Sequence, residues 1–193
     1  MVKAWKDYEL PKSMIVNGNE YKFCSDFREI LEVIIPLNDP DLLEEEKIFC
    51  SANLFFEDFE SVRNEDVNDC ISQMMKFISG NKVEDSKQDT KPVMDWEKDL
   101  SLIIAPINRI ANHDIRNDEY IHWWTFLSYF MEIGECTFST YVGIRTKRNK
   151  GKKLEDYEKE IYKNNKSAID IVKKYDSTTQ NMLDEVMELL GKR

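Results

Sequence analysis

The side chains that most often bind metals or act as nucleophiles and bases are scarce in this sequence. There are two histidines and four cysteines, at positions His113, His122, Cys24, Cys50, Cys70 and Cys136. The histidines are nine positions apart, so they do not share one helical face as the histidine pair of zinc proteases does. The sequence contains no Cys-x-x-Cys pair, no glycine-rich phosphate loop and no nucleophile-elbow pattern. It therefore predicts no metal site and no cofactor.

Two pairings near the middle of the chain remain as conceivable chemistry. Glu132 and Glu135 lie next to an aromatic segment and could form a buried acid pair, and Cys136 could act as a nucleophile with His122 as its base. The sequence shows no third orienting group and no oxyanion donor for either pairing. Solvated carboxylates and structural roles for Cys136 and His122 are the simpler interpretations. We expect no catalytic residues, and an enzyme with a carboxylate or Cys136 site is the least favoured alternative.

The charge of the chain limits its partners. The 193 residues include 27 Lys and Arg against 37 Asp and Glu, a net charge of −10. This acidity argues against nucleic acid or an anionic membrane as the main partner, because both repel anions. Residues 145–174 have the opposite sign, with 11 Lys and Arg against 5 Asp and Glu, a local charge of +6. A solvated helix face is the simpler interpretation, but the basic turn could also meet an acidic partner through Arg148, Lys150, Lys152 and Lys153.

The positions of the cysteines and the hydropathy of the sequence predict the cellular compartment of the protein. The four cysteines are separated by 26, 20 and 66 residues and lie among apolar neighbours, as reduced structural cysteines do. The first residues have no apolar core of signal-peptide length, and the sequence has no run of 18 apolar residues. We therefore expect a soluble protein of a reducing cytoplasm.

The elements that would position these side chains are mostly helices. Only six Gly and five Pro are present, which favours helices over a turn-rich β fold. Asn17-Gly18 between two apolar runs predicts a β-hairpin. Asp26 can cap a first helix that ends at Pro36, and Asp39-Pro40-Asp41 predicts the start of a second. We expect an all-α fold, a helical bundle with a small N-terminal β-hairpin.

A polar segment divides the chain. Residues 81–92 are nearly devoid of apolar side chains and predict a linker between an N-terminal region, 1–80, and a C-terminal helical region, 93–193. A third helix from Asn64 to Ile78, closed by Gly80, precedes this linker. After the linker, the spacing of apolar residues predicts helices over 95–112, 118–133, 137–146, 154–175 and 177–190.

The helix predicted over 118–133 is the most apolar of these. A helix that is apolar nearly all round belongs in the middle of a bundle or at an interface. Its adjacent tryptophans point about 100° apart, so one can fill a core while the other faces a neighbouring helix or a second subunit. Core packing is the simpler interpretation. The alternative is a contact with a partner, since Trp is enriched in binding hot spots, and the candidate residues are Trp123, Trp124, Phe126 and Phe130.

Four features of the chain occur in an order found in one family. The hairpin is followed by Asp26-Phe27-Arg28, and the polar segment is followed by Val93-Met94-Asp95-Trp96-Glu97-Lys98-Asp99. The apolar helix then contains Tyr120-Ile121-His122-Trp123-Trp124-Thr125-Phe126, and Tyr141–Tyr162 contains Arg145 and a charged helix. Together these features resemble the bacteriophage gene-product-fifteen family, encoded among the tail genes of siphophages and related prophages of Gram-positive hosts. The resemblance extends from about Ile15 to Tyr162, and the tail from about Ser167 onward lies beyond it.

The resemblance implies a role in phage tail morphogenesis. It implies a tail assembly chaperone that coats the tape-measure protein, keeps its long hydrophobic helices soluble and helps to recruit the major tail protein during tube growth. Such a protein acts as a homo-oligomer in the cytoplasm of the bacterial host and is absent from the mature virion. The alternative is a structural tail or head–tail joining protein that is retained in the virion.

Overall fold

A computed structural model describes residues 10–80 and 91–171, in which a two-stranded hairpin precedes eight α-helices. The strands are β1 (Ser13–Val16) and β2 (Asn19–Lys22), and the helices are α1 (Phe27–Asn38), α2 (Glu44–Phe55), α3 (Val67–Ile78), α4 (Trp96–Ala111), α5 (Trp123–Met131), α6 (Thr137–Asn149), α7 (Asp156–Asn164) and α8 (Lys166–Ile169). The predicted all-α fold with a small N-terminal hairpin is confirmed. Within these two ranges, no helix is long and apolar enough to span a membrane. The helix predicted over 177–190 lies outside them.

The hairpin is closed by the turn that its Asn-Gly pair predicts. Asn17 and Gly18 have φ angles of 49° and 83°, and a two-residue type I′ turn requires positive φ at both positions. The turn brings three donors to the buried carboxylate of Asp66. This carboxylate accepts hydrogen bonds from Asn17 Nδ2 (2.7 Å), Asn19 Nδ2 (2.9 Å) and the Tyr21 hydroxyl (2.6 Å). The hairpin is thereby joined to the residue that precedes α3.

Local hydrogen bonds move the ends of α1 and α2 away from the predicted positions. α1 continues past Pro36 to Asn38, because a proline in the last turn removes only one backbone donor. The predicted start of the second helix at Asp39-Pro40-Asp41 is wrong, since α2 begins at Glu44. Its first turn is closed by the Glu46 carboxylate, which accepts a hydrogen bond from the Leu43 N–H at 2.9 Å.

α3 begins later than predicted but ends as predicted. Its first residue is Val67 rather than Asn64, and the side chain of Asp66 does not cap it because the hairpin donors occupy that carboxylate. Gly80 follows the helix with a φ of 68°, which confirms the predicted glycine cap. A Cβ atom at this position would lie 3.0 Å from Leu127 Cδ1, so both the backbone conformation and the contact favour glycine.

One carboxylate joins the start of α1 to the segment before α5. Asp26 caps α1 by accepting a hydrogen bond from the Arg28 N–H at 2.9 Å. Its other oxygen accepts a hydrogen bond from the N–H of Ile121, also at 2.9 Å and 95 residues away in sequence. The Arg28 guanidinium forms an ion pair with the same carboxylate (3.0 Å) and donates to the carbonyl of Asp118 at 2.7 Å. The two segments are therefore held together by both side chains of the Asp-x-Arg step.

Backbone hydrogen bonds continue this junction and determine where α5 begins. The Phe27 N–H donates to the Ile121 carbonyl at 2.9 Å, and the Trp123 N–H donates to the Ser25 carbonyl at 2.8 Å. Because these backbone groups pair across the junction, they are not available to a helix. The predicted start at Asp118 is therefore wrong, and α5 begins at Trp123.

One core of buried side chains draws on residues before and after the predicted linker. Phe23 stacks on Phe55 with ring centroids 4.7 Å apart, and Phe27 stacks on Phe126 at 4.5 Å. Such aromatic pairs add about 0.5–1.5 kcal/mol each beyond the area that they bury. Residues 81–90 of the predicted linker lie outside the described residues, and the division at 81–92 stays a prediction.

A buried ion pair organises the C-terminal part of the structure. Arg145 of α6 binds Asp99 of α4 through two hydrogen bonds, Nη1 to Oδ2 at 2.6 Å and Nη2 to Oδ1 at 2.9 Å, and both side chains are buried. The same guanidinium donates to the carbonyls of Val93 (3.2 Å), Ala168 (3.0 Å) and Ile169 (2.6 Å). One side chain thus connects the segment before α4, α4 itself and α8.

These contacts explain why the prediction of a single helix over 154–175 is wrong. α7 ends before Asn165, which has a φ of −128°, and α8 is only one turn long. Arg145 and Lys98 donate to backbone carbonyls of α8 and its flanks, including that of Ser167 at 2.7 Å from Lys98 Nζ. Side chains from other helices therefore take the place of helical N–H donors here.

We predict that Arg145→Met lowers the free energy of unfolding by about 3–5 kcal/mol, because it leaves Asp99 as a buried charge without its partner. Urea denaturation of the purified variants measures this loss. Arg116→Met is the matched control, since Arg116 is exposed and pairs with Asp114 at the surface, where such a pair contributes at most about 1 kcal/mol. Equal losses in the two variants would contradict the assigned role of Arg145.

Candidate functional site

The two adjacent tryptophans bind the end of α3. Trp123 Nε1 donates to the Ile78 carbonyl at 2.9 Å, and Trp124 Nε1 donates to the Phe77 carbonyl at 3.0 Å. Carbonyls in the last turn of a helix lack an i+4 N–H donor within it. The Trp123 indole supplies a donor to Ile78, and the Trp124 indole adds a second donor to the Phe77 carbonyl, which also accepts the Gly80 N–H at 3.0 Å. Trp124 also stacks on Phe77, with ring centroids 5.4 Å apart. Both tryptophans thus have a structural role in holding α5 to α3.

The aromatic residues predicted to contact a partner differ in exposure. Trp123 and Phe126 are 1% and 0% exposed, and they pack in the core beside Trp96. Trp124 and Phe130 are half-buried. A wholly buried side chain reaches a partner only if the core opens, so core packing accounts for Trp123 and Phe126. A partner contact of the four residues stays a prediction.

His122 is a buried capping residue at the start of α5. Its Nδ1 accepts a hydrogen bond from the Trp124 N–H at 3.1 Å, and its Nε2 lies 2.9 Å from the Pro11 carbonyl oxygen. A ring nitrogen that accepts carries no proton, so the proton is on Nε2, which donates to Pro11. Burial lowers the pKa of His122 and so favours this neutral form. To act as a base for Cys136, His122 would have to give up its cap.

The remaining candidates for chemistry lie at the surface or take part in local structure. Glu132 and Glu135 are exposed between α5 and α6, and Cys136 is half-buried at the first turn of α6. His113 is exposed and hydrogen-bonded to Asp118 at 2.7 Å. In the ranges 10–80 and 91–171, no group of three or more His, Cys, Asp or Glu residues is placed to hold a metal ion.

The basic turn after α6 is exposed at all four of its candidate residues, Arg148, Lys150, Lys152 and Lys153. Arg148 forms an ion pair with Asp170, and its guanidinium lies over the Tyr162 ring at 4.1 Å from the centroid. Arg148 is thus held against the helices that follow the turn, while the three lysines extend from a short loop. Their contact with an acidic partner stays a prediction.

The structure reveals a surface that sequence reasoning did not single out. A groove of about 430 Å³ opens between α2, the 3-10 turn Phe59–Ser61 and α3. Phe49 is 62% exposed along it and meets the Phe59 ring edge-on, with centroids 6.2 Å apart. Its apolar lining consists of Ile48, Phe49, Phe59, Val62, Val67 and Ile71.

The border of this groove is acidic. Glu45 and Glu60 line it, beside the uncharged amides of Asn53 and Asn64. Residues 41–69, which include most of the groove, contain ten Asp and Glu against two Lys and Arg, so the net charge of this stretch is −8. Both cations are close to acids, Lys47 to Glu44 at 2.6 Å and Arg63 to Glu65 at 4.0 Å. The groove therefore combines an apolar floor with two carboxylates at its border, in an acidic stretch of the chain.

Contacts of the core hold the walls of the groove in place. The Ser51 hydroxyl donates to the Val33 carbonyl at 2.9 Å in a buried hydrogen bond that fixes α2 on α1. The 3-10 turn is held by Phe56, which stacks on Phe59 with centroids 5.7 Å apart. Asp66, bound by the hairpin, fixes the start of α3. The groove is thus a preformed feature of rigid elements.

One sequence signal could have indicated the groove. Ile48, Ala52 and Phe55 lie on the buried or half-buried side of α2, whereas Phe49 points away from it and remains exposed. An aromatic residue outside the buried stripe of an amphipathic helix indicates a second apolar face. This signal locates a wall of the groove, while the opposite wall on α3 depends on tertiary structure.

Comparison with family models matches residues 7–171 to the family described as bacteriophage Gp15 protein. The matched range contains all four features of the resemblance, and it reaches beyond Tyr162 to the end of the described C-terminal segment. Neither the curated proteins nor the solved structures gave a match.

We predict that the neutral form of His122 makes the fold less stable in mild acid. Its folded-state pKa lies below the ordinary value of 6.5, so the unfolded chain binds the proton more readily. The stability that His122 contributes is therefore complete above 6.5 and is lost as the pH falls through the folded-state pKa. His122→Asn keeps a capping oxygen and removes the titration. We expect this variant to flatten the decrease in free energy of unfolding between about pH 7 and pH 5, measured by urea denaturation.

His113 is the matched control because its linkage has the opposite sign. Its hydrogen bond to Asp118 raises its pKa, so its contribution is present in acid and is lost as the pH rises through the folded-state pKa. His113→Asn should therefore steepen the loss of stability toward acid. A pH dependence that His122→Asn leaves unchanged would contradict the buried neutral assignment.

Proposed function

Because the chain belongs to the bacteriophage Gp15 protein family, we propose that it is a non-enzymatic phage tail assembly protein. Its role is that of a tail assembly chaperone that binds the tape-measure protein during growth of the tail tube. The resemblance of the four motifs to tail-gene products supports this assignment. The exposed apolar groove between α2 and α3 also supports it.

The groove between α2 and α3 is the observation that carries the proposal. A protein that keeps long apolar helices soluble needs apolar surface that stays open in its own folded state. Binding of an amphipathic helix in a hydrophobic groove is a common mode of such recognition. Here Phe49 offers an exposed aromatic ring from a helix that is already fixed in the core.

The proposal assigns binding rather than catalysis to the chain. The residues most suited to chemistry have structural roles, since His122 caps α5 and burial raises the pKa of the Cys70 thiol to about 11. A thiol with a raised pKa is a poor nucleophile at neutral pH, because the thiolate is the reactive form.

Several copies acting together complete the proposed mechanism. One groove covers only a short length of a long helix, and many weak sites on one ligand act through avidity. We therefore propose a homo-oligomer in the host cytoplasm, with the tape-measure protein and the major tail protein as partners. The negative net charge is consistent with protein partners rather than nucleic acid or membranes.

Co-expression with the tape-measure protein of the same phage or prophage tests the proposal. We expect the tape-measure protein to become soluble and to elute with several copies of this chain in size-exclusion chromatography with light scattering. Insoluble tape-measure protein, with this chain eluting alone, would contradict the chaperone role.

Mass spectrometry of purified virions separates this function from the alternative of a structural tail or head–tail joining protein. A chaperone should be absent from the particle, whereas a structural protein should be present at a fixed stoichiometry with the major tail protein. Its presence at such a stoichiometry would overturn the chaperone assignment in favour of the structural one.

A further inference from the structure

We infer that the groove between α2 and α3 binds one amphipathic helix of another protein, with an apolar face flanked by Lys or Arg. The inference rests on the proposed function for its biological setting and extends it by naming the chemistry of the ligand. It concerns the surface lined by Ile48, Phe49, Phe59, Val62, Val67 and Ile71 and bordered by Glu45 and Glu60.

The apolar floor requires apolar side chains from the ligand. Phe49, in the lining of the groove, is 62% exposed. Removal of apolar surface from water is favourable, so a ligand that covered Phe49 would gain binding free energy. The floor is formed by two helices and a turn held by the core, and a helix that presents residues at i, i+3, i+4 and i+7 suits such a groove.

The acidic border determines the charge of the ligand. Two carboxylates, those of Glu45 and Glu60, line the groove, and the lining contains no Lys or Arg. A ligand with Lys or Arg beside its apolar face would meet complementary charge at Glu45 and Glu60. An acidic helix would be repelled, and such like-charge contacts oppose the wrong partners.

Two segments of this chain lack one of the two properties that the groove requires of a ligand. The predicted amphipathic stretch Ser177–Leu190 contains three acids and no Lys or Arg, so its charge has the same sign as the border. The basic turn 147–153 has the right charge but contains no apolar side chain to cover Phe49. The occupant that we infer, an amphipathic helix of another protein, combines an apolar face with basic flanks.

Binding of a designed peptide tests the inference on the full-length protein. The probe is a fluorescein-labelled 18-residue peptide of Leu and Lys, with Leu on one helical face, followed by fluorescence anisotropy. We expect saturable binding that weakens as salt is raised, since exposed charges are screened within about 8 Å at physiological ionic strength. A scrambled peptide of the same composition, without an apolar face, and a Leu–Glu peptide should bind at least about tenfold more weakly.

Variants with matched controls locate the binding site. Phe49→Ala should weaken binding about tenfold, as loss of an aromatic hot spot does. Leu54→Ala is its control, because Leu54 is 49% exposed on the same helix but does not line the groove.

A second pair of variants tests the contribution of charge to peptide binding. The double variant Glu45→Lys and Glu60→Lys should weaken binding about tenfold at low salt and less at high salt. Its control reverses Glu132 and Glu135, which are exposed away from the groove and keep the change in net charge the same. Circular dichroism confirms that the four variants remain folded.

The outcomes separate this inference from the proposed function. Equal binding of the scrambled peptide, or equal losses in groove and control variants, would overturn the inference, because attraction would then depend on net charge alone. Soluble tape-measure protein that is unaffected by Phe49→Ala would also overturn it while the chaperone role stands. Specific binding of the Leu–Lys peptide together with insoluble tape-measure protein would support the groove and contradict the chaperone role.

Discussion

The carboxylate of Asp26 is the interaction on which much of the fold depends. It caps α1 and binds the N–H of Ile121, and so joins segments 95 residues apart. With Ile121 held in this way, the chain enters α5 at His122, and the indoles of Trp123 and Trp124 reach the last carbonyls of α3. α3 is one wall of the groove. A single buried polar group therefore positions the binding surface through a short series of direct contacts, and its two acceptor oxygens are both used.

The family motifs therefore describe the core rather than the surface that binds. The Asp-Phe-Arg step and the His-Trp-Trp segment meet at the Asp26 junction, while the acid and the arginine of the later motifs meet as the buried pair of Asp99 and Arg145. Each motif is short in sequence, but its role requires a second motif far along the chain. Recognition of the family from these residues consequently rests on contacts of the core, and the groove of the proposed function has to be read from the structure.

The sequence predicts elements whose causes are local, and fails where a distant residue competes. Asn17-Gly18 specifies its turn and Gly80 ends α3 whatever surrounds them, because positive φ is a property of the residue itself. The third helix predicted from Asn64 begins only at Val67, after Asp66, whose carboxylate three hairpin donors occupy. The stretch after residue 154 has a helical pattern, yet Arg145 and Lys98 bind its carbonyls and break it. The groove also depends on distant residues. The position of Phe49 on α2 can be inferred from the sequence, but the opposite wall on α3 cannot.

A protein that exposes an apolar groove must avoid burying it against other copies of itself. Two grooves facing each other would bring together two segments of charge −8 each, and this repulsion opposes the contact at ordinary ionic strength. The acidic border therefore has two effects that follow from one charge distribution. In the proposed binding mode it attracts a basic ligand helix, and it disfavours contact between the grooves of two identical chains. Self-association of the proposed homo-oligomer would then use a different face, and the basic residues that begin at Arg145, on α6 and the turn after it, do not line this groove.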